Sequence, residues 1–472
     1  ILALNRLNKI QSNLILFVAC ILSRVVTSIY HIEDIDSLRF ALAIQEFSII
    51  KLQPHFPGYP VFCFFSKILF FFTNSIGVTF SIIGGVSIFI IIYFILRLAD
   101  IELNTFRGVF CSALIFFNPL LYIMSNRYMP DLFGAAIALT GIYFLISEKN
   151  FKWSVAIGFF LVGTLAGIRL SYLPLMIIPI LDGLKKIRQK KYLLLSFSLG
   201  IFIWLIPLIW ITGINDLFLA AFKQTIGHFT DFGGTSITEN NWEMRLLTFF
   251  RSIWSDGLGG YWFGRHWITL ILSIGLIHFT FSSTRVIVNN IKNDRITQLM
   301  LFSMLAYAVW ILLFQNVIHK SRHVIPIVIV LLYLITSAQN IVIWKDITSK
   351  VVSFNFIISL LIVSTVLAIQ HKSPSAISKL KDDMISLDPD KTIVSIPLVE
   401  YYLKTHGVKA NYININDLSQ GMDSDDLNHA ILIGDHSALL GDNYHIISDS
   451  SYYHNPYVNR MWPVIHSFRL QR

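Results

Sequence analysis

Three carboxylates crowd into one short segment near the start of the chain, at Glu33, Asp34 and Asp36. Crowded carboxylates repel one another, which raises their pKa values unless a cation or a positively charged partner lies close by. The segment therefore predicts either a catalytic or ion-binding site, which could hold a divalent cation, or a solvated acidic turn that caps a helix. Residue type alone leaves both alternatives open.

A second acidic position, Asp131, follows Pro130 in the sequence SNRYMPDLFG, close to Arg127. An aspartate at the start of a helix is well explained by capping and by its interaction with the helix dipole. The functional alternative is that Asp131 shares a membrane face with Asp36. Two acidic positions on one face could frame an active site.

Basic residues cluster in the sequence QNVIHKSRHVIP, at Lys320, Arg322 and His323. Arginine and lysine are the usual partners of phosphate groups, so the cluster is a candidate phosphate site. The alternative is that the long side chains snorkel to the membrane interface. Arg169, in AGIRLSYLP, is a separate charge near a predicted span boundary, where it either serves a function or pairs with a carboxylate at the interface.

The composition requires lipid as a solvent. Hydrophobic residues make up 54% of the 472 residues and charged residues only 14%, whereas soluble domains average about 25% charged. The net charge of +9 falls largely in short loops between apolar runs, so it reflects membrane orientation and not nucleic-acid binding. The three cysteines lie in apolar stretches without metal-ligand spacing and are interpreted as packing residues.

The apolar runs predict a polytopic, all-α membrane domain over residues 1–370 with about 11 transmembrane helices. Phe62–Phe72 is too short for a comfortable span and is interpreted as an interfacial or re-entrant helix. The predicted spans are Leu14–Tyr30, Gly77–Leu96, Val109–Met124, Asp131–Ile146, Val155–Ile168, Leu173–Leu181, Leu193–Ile211, Ile268–Phe281, Leu299–Leu313, Val324–Ile343 and Phe354–Ile369.

Arg6 and Lys9 precede the first span and place the N-terminus in the cytoplasm. Residues 31–60, 212–266 and 315–323 then become outer loops, so the basic cluster at Lys320 lies on the face where short loops normally avoid such residues. From residue 371 to 472 the apolar runs shorten. There Thr392–Ile396, a helical Leu398–Thr405, Ala410–Ile415 and Ala430–Ile433 predict a small, soluble, extracytoplasmic α/β domain.

These segments, in this order, resemble the C-type fold of glycosyltransferases that use lipid-phosphate-linked sugars. That superfamily includes the protein O-mannosyltransferases and the aminoarabinose lipid A transferase. DSLRFALA looks like its acidic motif, with Asp36 on the catalytic aspartate and Ser37 where a glutamate often follows. PHFPGYP is similar to its Pro-rich juxtamembrane region, NRYMPD to its second acidic loop, AGIRLSYLP to a short helix pair, and KSRHVIP to its late phosphate-binding motif.

The resemblance implies an inverting transfer of a sugar from a polyprenyl-phosphate donor to a glycan, lipid or protein acceptor, with Asp36 as general base. Lys320 and Arg322 would bind the lipid phosphate, assisted by His323 and Arg169. Asp131 would orient the acceptor or anchor Arg127. Further candidate substrate or metal contacts are Glu33, Asp34, His55, Tyr59 and Arg127. His228 and Trp242 are candidates for sugar or acceptor contacts.

Two other classes of protein share part of this pattern. A secondary transporter has many spans and intramembrane charges, but it usually shows paired inverted halves, which this sequence lacks. A flippase or polymerase of lipid-linked glycans would also use basic outer loops. A non-enzymatic scaffold would not need such a constellation of charges.

Overall fold

The computed structural model describes residues 8–147, 153–231, 233–338, 347–418, 427–436 and 445–471. The described chain is mainly helical, with short strands only in its C-terminal part. The helices that precede those strands are α1 Lys9–Val26, α2 Ile35–Gln45, α3 Pro60–Thr73, α4 Ile76–Leu98, α5 Phe106–Phe116, α6 Pro119–Met124, α7 Asp131–Ile146, α8 Ser154–Arg169, α9 Leu173–Lys186, α10 Lys190–Thr212, α11 Ile214–Thr230, α12 Trp242–Arg251, α13 Ile268–Asn293, α14 Arg295–Phe314, α15 Ile325–Ala338, α16 Ile347–Lys372 and α17 Ala376–Met384.

Within these described ranges, eight helical segments are long and apolar enough to cross a membrane, and α3, α5 and α7 are shorter apolar helices. The most apolar 18-residue windows, in Ile76–Leu98 and Ile347–Met384, reach a mean hydropathy of 2.4, which is the signature of lipid-spanning helices. The prediction of a polytopic helical membrane domain is confirmed.

One of the eight segments, Ser154–Lys186, is a helical hairpin. The backbone leaves the helix at the end of α8, and a 3-10 turn at Leu170–Tyr172 leads into α9. A Cβ placed on Gly183 would lie 3.3 Å from Val155, so the end of α9 contacts the start of α8. The two helices therefore run back along each other, as the separate predicted spans Val155–Ile168 and Leu173–Leu181 require.

Helix α7 packs beside the α8–α9 hairpin, and the three helices form one group. Lys186, in the last turn of α9, donates to the carbonyls of Leu145 and Ile146 at 2.8 Å each. The C-terminal end of α7 therefore lies beside the end of α9. The opposite end of the group carries Asp131, the first residue of α7, together with the α8–α9 turn.

Close packing of α8 against α10 depends on two glycines. A Cβ on Gly163 would lie 3.0 Å from the Cα of Gly200 and 2.4 Å from the carbonyl oxygen of Phe197. Small residues of this kind let membrane helices approach one another at backbone distance.

Both ends of helix α3 lie near the first turns of α4 and α7, at the same end of these helices as Asp131. Phe62, near the start of α3, packs against Phe80 and Phe133, near the starts of α4 and α7. At the other end of α3, the hydroxyl groups of Thr73 and Thr79 form a hydrogen bond of 2.6 Å. This arrangement is the one expected of an interfacial or re-entrant helix.

Several element boundaries differ from the predicted ones. The predicted span Val109–Met124 is divided into α5 and α6 at Asn118, whose side chain caps the Pro119 start of α6. Helix α13 continues to Asn293, well past the predicted end of this span at Phe281. The last residues of the predicted span Val324–Ile343 lie outside the described ranges.

The chain forms two compact units. The first consists of the residues up to Ile29 together with Leu42–Ile369, and the second of Tyr30–Ala41 together with the residues from Gln370 onward. The acidic segment around Asp36 thus belongs to the same unit as the C-terminal residues, a grouping that the sequence did not indicate.

The described residues of the second unit form a five-stranded mixed sheet in the order β2-β1-β3-β5-β4. Its core is apolar, with Val394, Leu432 and Leu470 fully buried. The predicted small α/β domain is confirmed. Its elements are β1 Thr392–Ser395, α18 Pro397–Thr405, β2 Asn411–Asn414, α19 Ile415–Leu418, β3 Ile431–Ile433, β4 His445–Tyr453 and β5 Val464–Gln471.

Candidate functional site

Asp131 is the first residue of α7 and follows Pro130. Only 1% of its surface is exposed. A buried carboxylate is costly unless it is paired, and the start of a helix provides part of the compensation through the positive end of the dipole. The remaining compensation comes from two arginines.

The first of these is Arg169, which ends α8. Its Nη2 lies 2.9 Å from Oδ1 of Asp131. Because α7 and α8 are antiparallel neighbours, the positive end of one helix lies beside the negative end of the other. Each side chain therefore complements its own helix dipole as well as its partner.

Gly134 makes room for this pair. A Cβ at Gly134 would lie 2.8 Å from the Cβ of Arg169 and 3.4 Å from the ring of Tyr172. The missing side chain, one turn into α7, lets the end of α8 approach the carboxylate.

The second arginine is Arg322, from a 3-10 turn at Ser321–Val324 that precedes α15. Its Nε lies 3.8 Å from Oδ1 of Asp131, and 6% of the residue is exposed. The fold thus brings together Asp131, Arg169 and Arg322, three residues that sequence analysis had selected separately. Of the neighbouring candidates, His323 is buried, with its carbonyl accepting a 3.0 Å bond from Tyr307, and Lys320 is half-buried.

A polar chain extends from Arg169 toward the start of α3. The Nη1 of Arg169 donates to the hydroxyl of Tyr59 at 3.3 Å, and that hydroxyl lies 2.9 Å from Nε2 of His55. Tyr59 has φ +47°, a left-handed conformation rare for a large side chain, and such outliers cluster at functional sites. Both predicted contact residues therefore lie in one network with the Asp131 pair.

Tyr172 belongs to the same group and was not selected from the sequence. It is fully buried in the α8–α9 turn, within electrostatic range of Asp131, Arg169 and Arg322. Among the described residues, the Tyr172 hydroxyl and the Arg169 Nε have no hydrogen-bond partner. Buried unsatisfied donors are rare in native proteins and indicate a ligand, an ion or water. The available signal was the position of Tyr172 in the same short motif as Arg169.

A second feature that sequence analysis missed is a π-helical turn at Ser252–Gly257. It packs against the Ser321–Val324 turn and contains Asp256, of which 5% is exposed. π-Helical turns occur frequently at functional sites. The backbone irregularity has no clear signature in this sequence.

The other candidates of the first unit lie in varied surroundings. Arg127 is buried, with Nη1 3.9 Å from the sulfur of Met124. Nε2 of His228 lies 2.6 Å from the carbonyl oxygen of Phe314, and Trp242 is 44% exposed at the start of α12.

The three carboxylates of the acidic segment have different surroundings in the second unit. Glu33 is paired with His371 at 2.9 Å, and both side chains are buried. Asp34 caps α2, because its Oδ1 accepts the backbone N–H of Ser37 at 2.8 Å. Asp36 lies in the first turn of α2, 5% exposed, with Oδ1 3.9 Å from Nη1 of Arg39. Among the described residues, no group of three His, Cys, Asp or Glu side chains could hold a metal ion.

The chain shares its fold with solved structures of ArnT, in agreement with the C-type fold that the sequence predicts. The chain is similar to ArnT from Cupriavidus metallidurans, both in the apo state (TM-score 0.59) and bound to undecaprenyl phosphate (TM-score 0.56). In both comparisons the identity is 9%, and the match covers 96% of this chain and 97% of that chain.

A weaker similarity links the chain to the oligosaccharyltransferase of Archaeoglobus fulgidus tethered to an acceptor peptide, with a TM-score of 0.43 and 10% identity over 85% of this chain and 63% of that one. No protein-family model and no curated protein sequence matches the chain.

Proposed function

We propose that the chain is a membrane glycosyltransferase that moves a sugar from a polyprenyl-phosphate donor to an acceptor on the outer face of the membrane. The observation that carries the proposal is the cluster of Asp131, Arg169 and Arg322, with its two unsatisfied buried donors, on a C-type glycosyltransferase fold. A fold alone does not define a function, so the chemistry of this cluster supplies the argument.

The cluster suits the phosphate of a lipid carrier. Guanidinium groups match phosphate geometry with two parallel N–H donors, and the hydroxyl of Tyr172 offers a third donor. Solved ArnT, which has the same fold, binds undecaprenyl phosphate. We assign the phosphate to Arg169, Arg322 and Tyr172, with Lys320 and His323 as neighbours in the same loop.

Asp131 takes a positioning role in this proposal. Its carboxylate contacts both arginines and therefore fixes where their remaining N–H groups point. Those donors stabilise the negative charge that grows on the phosphate oxygen as the bond from that oxygen to the anomeric carbon breaks.

Asp36 is the proposed general base. The acceptor hydroxyl or amine attacks the anomeric carbon, its proton passes to the carboxylate of Asp36, and the lipid phosphate leaves with the bonding electrons. A single displacement inverts the anomeric configuration, and it needs one carboxylate within hydrogen-bond reach of the acceptor. Asp36 is assigned to this step because DSLRFALA resembles the acidic motif of the C-type glycosyltransferases, in which Asp36 takes the position of the catalytic aspartate.

The charge distribution supports an extracytoplasmic position for the Asp131 cluster. Basic residues in the last turn of α9, in the connection after it and at the start of α10 lie at the opposite end of α9 from Asp131. Under the positive-inside tendency that end faces the cytoplasm. These residues are Lys185, Lys186, Arg188, Lys190 and Lys191.

The test is transfer by the full chain in proteoliposomes supplied with labelled polyprenyl-phosphate sugars and a panel of lipid, glycan and peptide acceptors. We expect transfer from at least one donor and its loss, by roughly 100-fold or more, in Asp36→Asn. The matched control is Asp449→Asn, an exposed carboxylate on β4, which should transfer as the wild type does. Full transfer by Asp36→Asn would exclude Asp36 as the base. Movement of the lipid-linked sugar across the bilayer without transfer would favour a flippase.

A further inference from the structure

Among the described residues, three side chains from distant parts of the same unit contact the acidic segment. His371 contacts Glu33 at 2.9 Å, Tyr402 donates to the carbonyl of Ile32 at 2.5 Å, and Asn459 donates to Oδ2 of Asp34 at 3.1 Å. These partners are 338, 370 and 425 residues away along the chain. They come from the end of α16, from α18 and from the connection between β4 and β5.

The contact from Asn459 has a defined direction. Its Oδ1 accepts the backbone N–H of Met461 at 2.9 Å, so its Nδ2 is the atom that donates to Asp34. Asp34 in turn caps α2 through the backbone N–H of Ser37. One carboxylate thus joins the C-terminal residues to the first turn of the helix that carries Asp36.

The side chains of Tyr402 and His371 are buried, and so is the contact of His371 with Glu33. Tyr402 and Glu33 are no more than 1% exposed, and so is His371. Burial raises the pKa of the Tyr402 phenol, which keeps its proton and donates at every ordinary pH. Hydrogen bonds in such surroundings are costly to leave unmade, so the Ile32–Asp34 backbone is fixed immediately before Asp36.

We propose that His371, Tyr402 and Asn459 are positioning residues, and that the C-terminal domain serves the reaction by holding the start of α2 and with it Asp36. This inference rests on the proposed function, because it assumes that Asp36 acts on the acceptor. It gives the domain a role in turnover, separate from donor binding by Arg169 and Arg322.

The first test is hydrogen–deuterium exchange of the full-length protein in nanodiscs. We expect Asn459→Asp, which places a second negative charge against Asp34, and Tyr402→Phe, which removes only a hydroxyl, to raise exchange in residues 35–41 by roughly tenfold or more. The matched control is Leu432→Ala, which opens the buried core of the same sheet and should leave exchange in residues 35–41 near the wild-type rate. Unchanged exchange in Asn459→Asp and Tyr402→Phe, or an equal rise in Leu432→Ala, would overturn the proposal.

The second test separates kcat from the donor KM. Displacement of a catalytic group by about 1 Å costs on the order of 100-fold, so Asn459→Asp and Tyr402→Phe should lower kcat roughly 10- to 100-fold with the donor KM within about twofold. A fall in kcat no larger than that of Leu432→Ala would show a merely structural role. Retained turnover in Asp36→Asn would instead refute the proposed base, whatever the exchange experiment gives, so the two failures are distinguishable.

Discussion

Arg169 ends one helix and Asp131 begins its antiparallel neighbour, and the two side chains meet at 2.9 Å with less than a tenth of either residue exposed. Removal of one partner leaves a buried charge, which typically costs about 3–5 kcal/mol. We therefore expect Asp131→Ala to lower the thermal unfolding temperature in detergent clearly, and Asp131→Ala with Arg169→Met to recover part of that loss.

Asp182 provides the control for this experiment. It is 6% exposed, lies in α9 near the opposite end from Asp131, and pairs with Lys186 at 3.3 Å and with Arg295. Asp182→Ala should lower the unfolding temperature comparably and leave the donor KM unchanged, whereas Asp131→Ala should also raise the donor KM. A double variant no more stable than Asp131→Ala would contradict the pairing.

Arg322 should act on the donor. A hydrogen bond to a charged group contributes about 1.5–3 kcal/mol, so Arg322→Ala should raise the donor KM by about 10- to 100-fold. Arg322→Lys should recover little of this, because an ammonium lacks the paired N–H geometry of guanidinium. The control is Arg107→Ala. In the wild type the guanidinium of Arg107 donates to the carbonyl of Thr336 at 3.4 Å. Equal KM values for Arg322→Ala and Arg107→Ala, from initial rates, would remove Arg322 from the phosphate site.

Gly134 offers a test of geometry without any change in charge. In Gly134→Ala the new methyl group would lie 2.8 Å from the Cβ of Arg169, an atom close to the backbone that cannot move aside easily. We expect the end of α8 to shift and the donor KM to rise at least about fivefold.

Gly141→Ala is the matched control on the same helix, because its methyl group would meet the flexible tip of Met176 at 3.2 Å. Donor titrations of the two variants should differ, with Gly141→Ala close to the wild type. Wild-type behaviour of both would show that the approach of α8 to α7 at Gly134 does not matter for the donor.

The sequence predicted the positions of helices and strands better than the tertiary contacts between them. The predicted Thr392–Ile396 and Ala410–Ile415 match β1 and β2 within one or two residues, because short apolar runs between turns are a local signal. Strand β4, with the sequence HIISDSSYY, is almost fully exposed and has no apolar alternation, so it was missed.

In the candidate site, too, the individual residues were predictable from local sequence and their contacts with one another were not. Asp131, Arg169 and Arg322 were each recognisable as charges in apolar surroundings, which local sequence reveals. Their convergence depends on the hairpin of α8 and α9 and on Gly134, and the partners of Glu33 and Asp34 come from the far end of the chain. Tertiary pairing over such separations has no local signature.

The last prediction concerns pH and the acidic segment. Burial lowers the pKa of His31 to about 4, against the attraction of Glu33 and with a further contribution from His371. An unfolded chain binds a proton at this histidine near its ordinary pKa of about 6.5, whereas the folded protein does not until the pH is near 4. The unfolded state therefore binds more protons in between, and stability falls as the pH falls through this window.

His31→Gln removes this difference in proton binding between the folded and unfolded states, because glutamine does not titrate. Between pH 6.5 and 5 the wild type should lose stability relative to His31→Gln, by about 1–2 kcal/mol at pH 5. Thermal unfolding in detergent at pH 7.0, 6.0 and 5.0 measures it. His445→Gln, which changes an exposed histidine at the start of β4, should follow the wild type. If His31→Gln and the wild type lose stability in parallel over this range, His31 is not kept neutral by the fold.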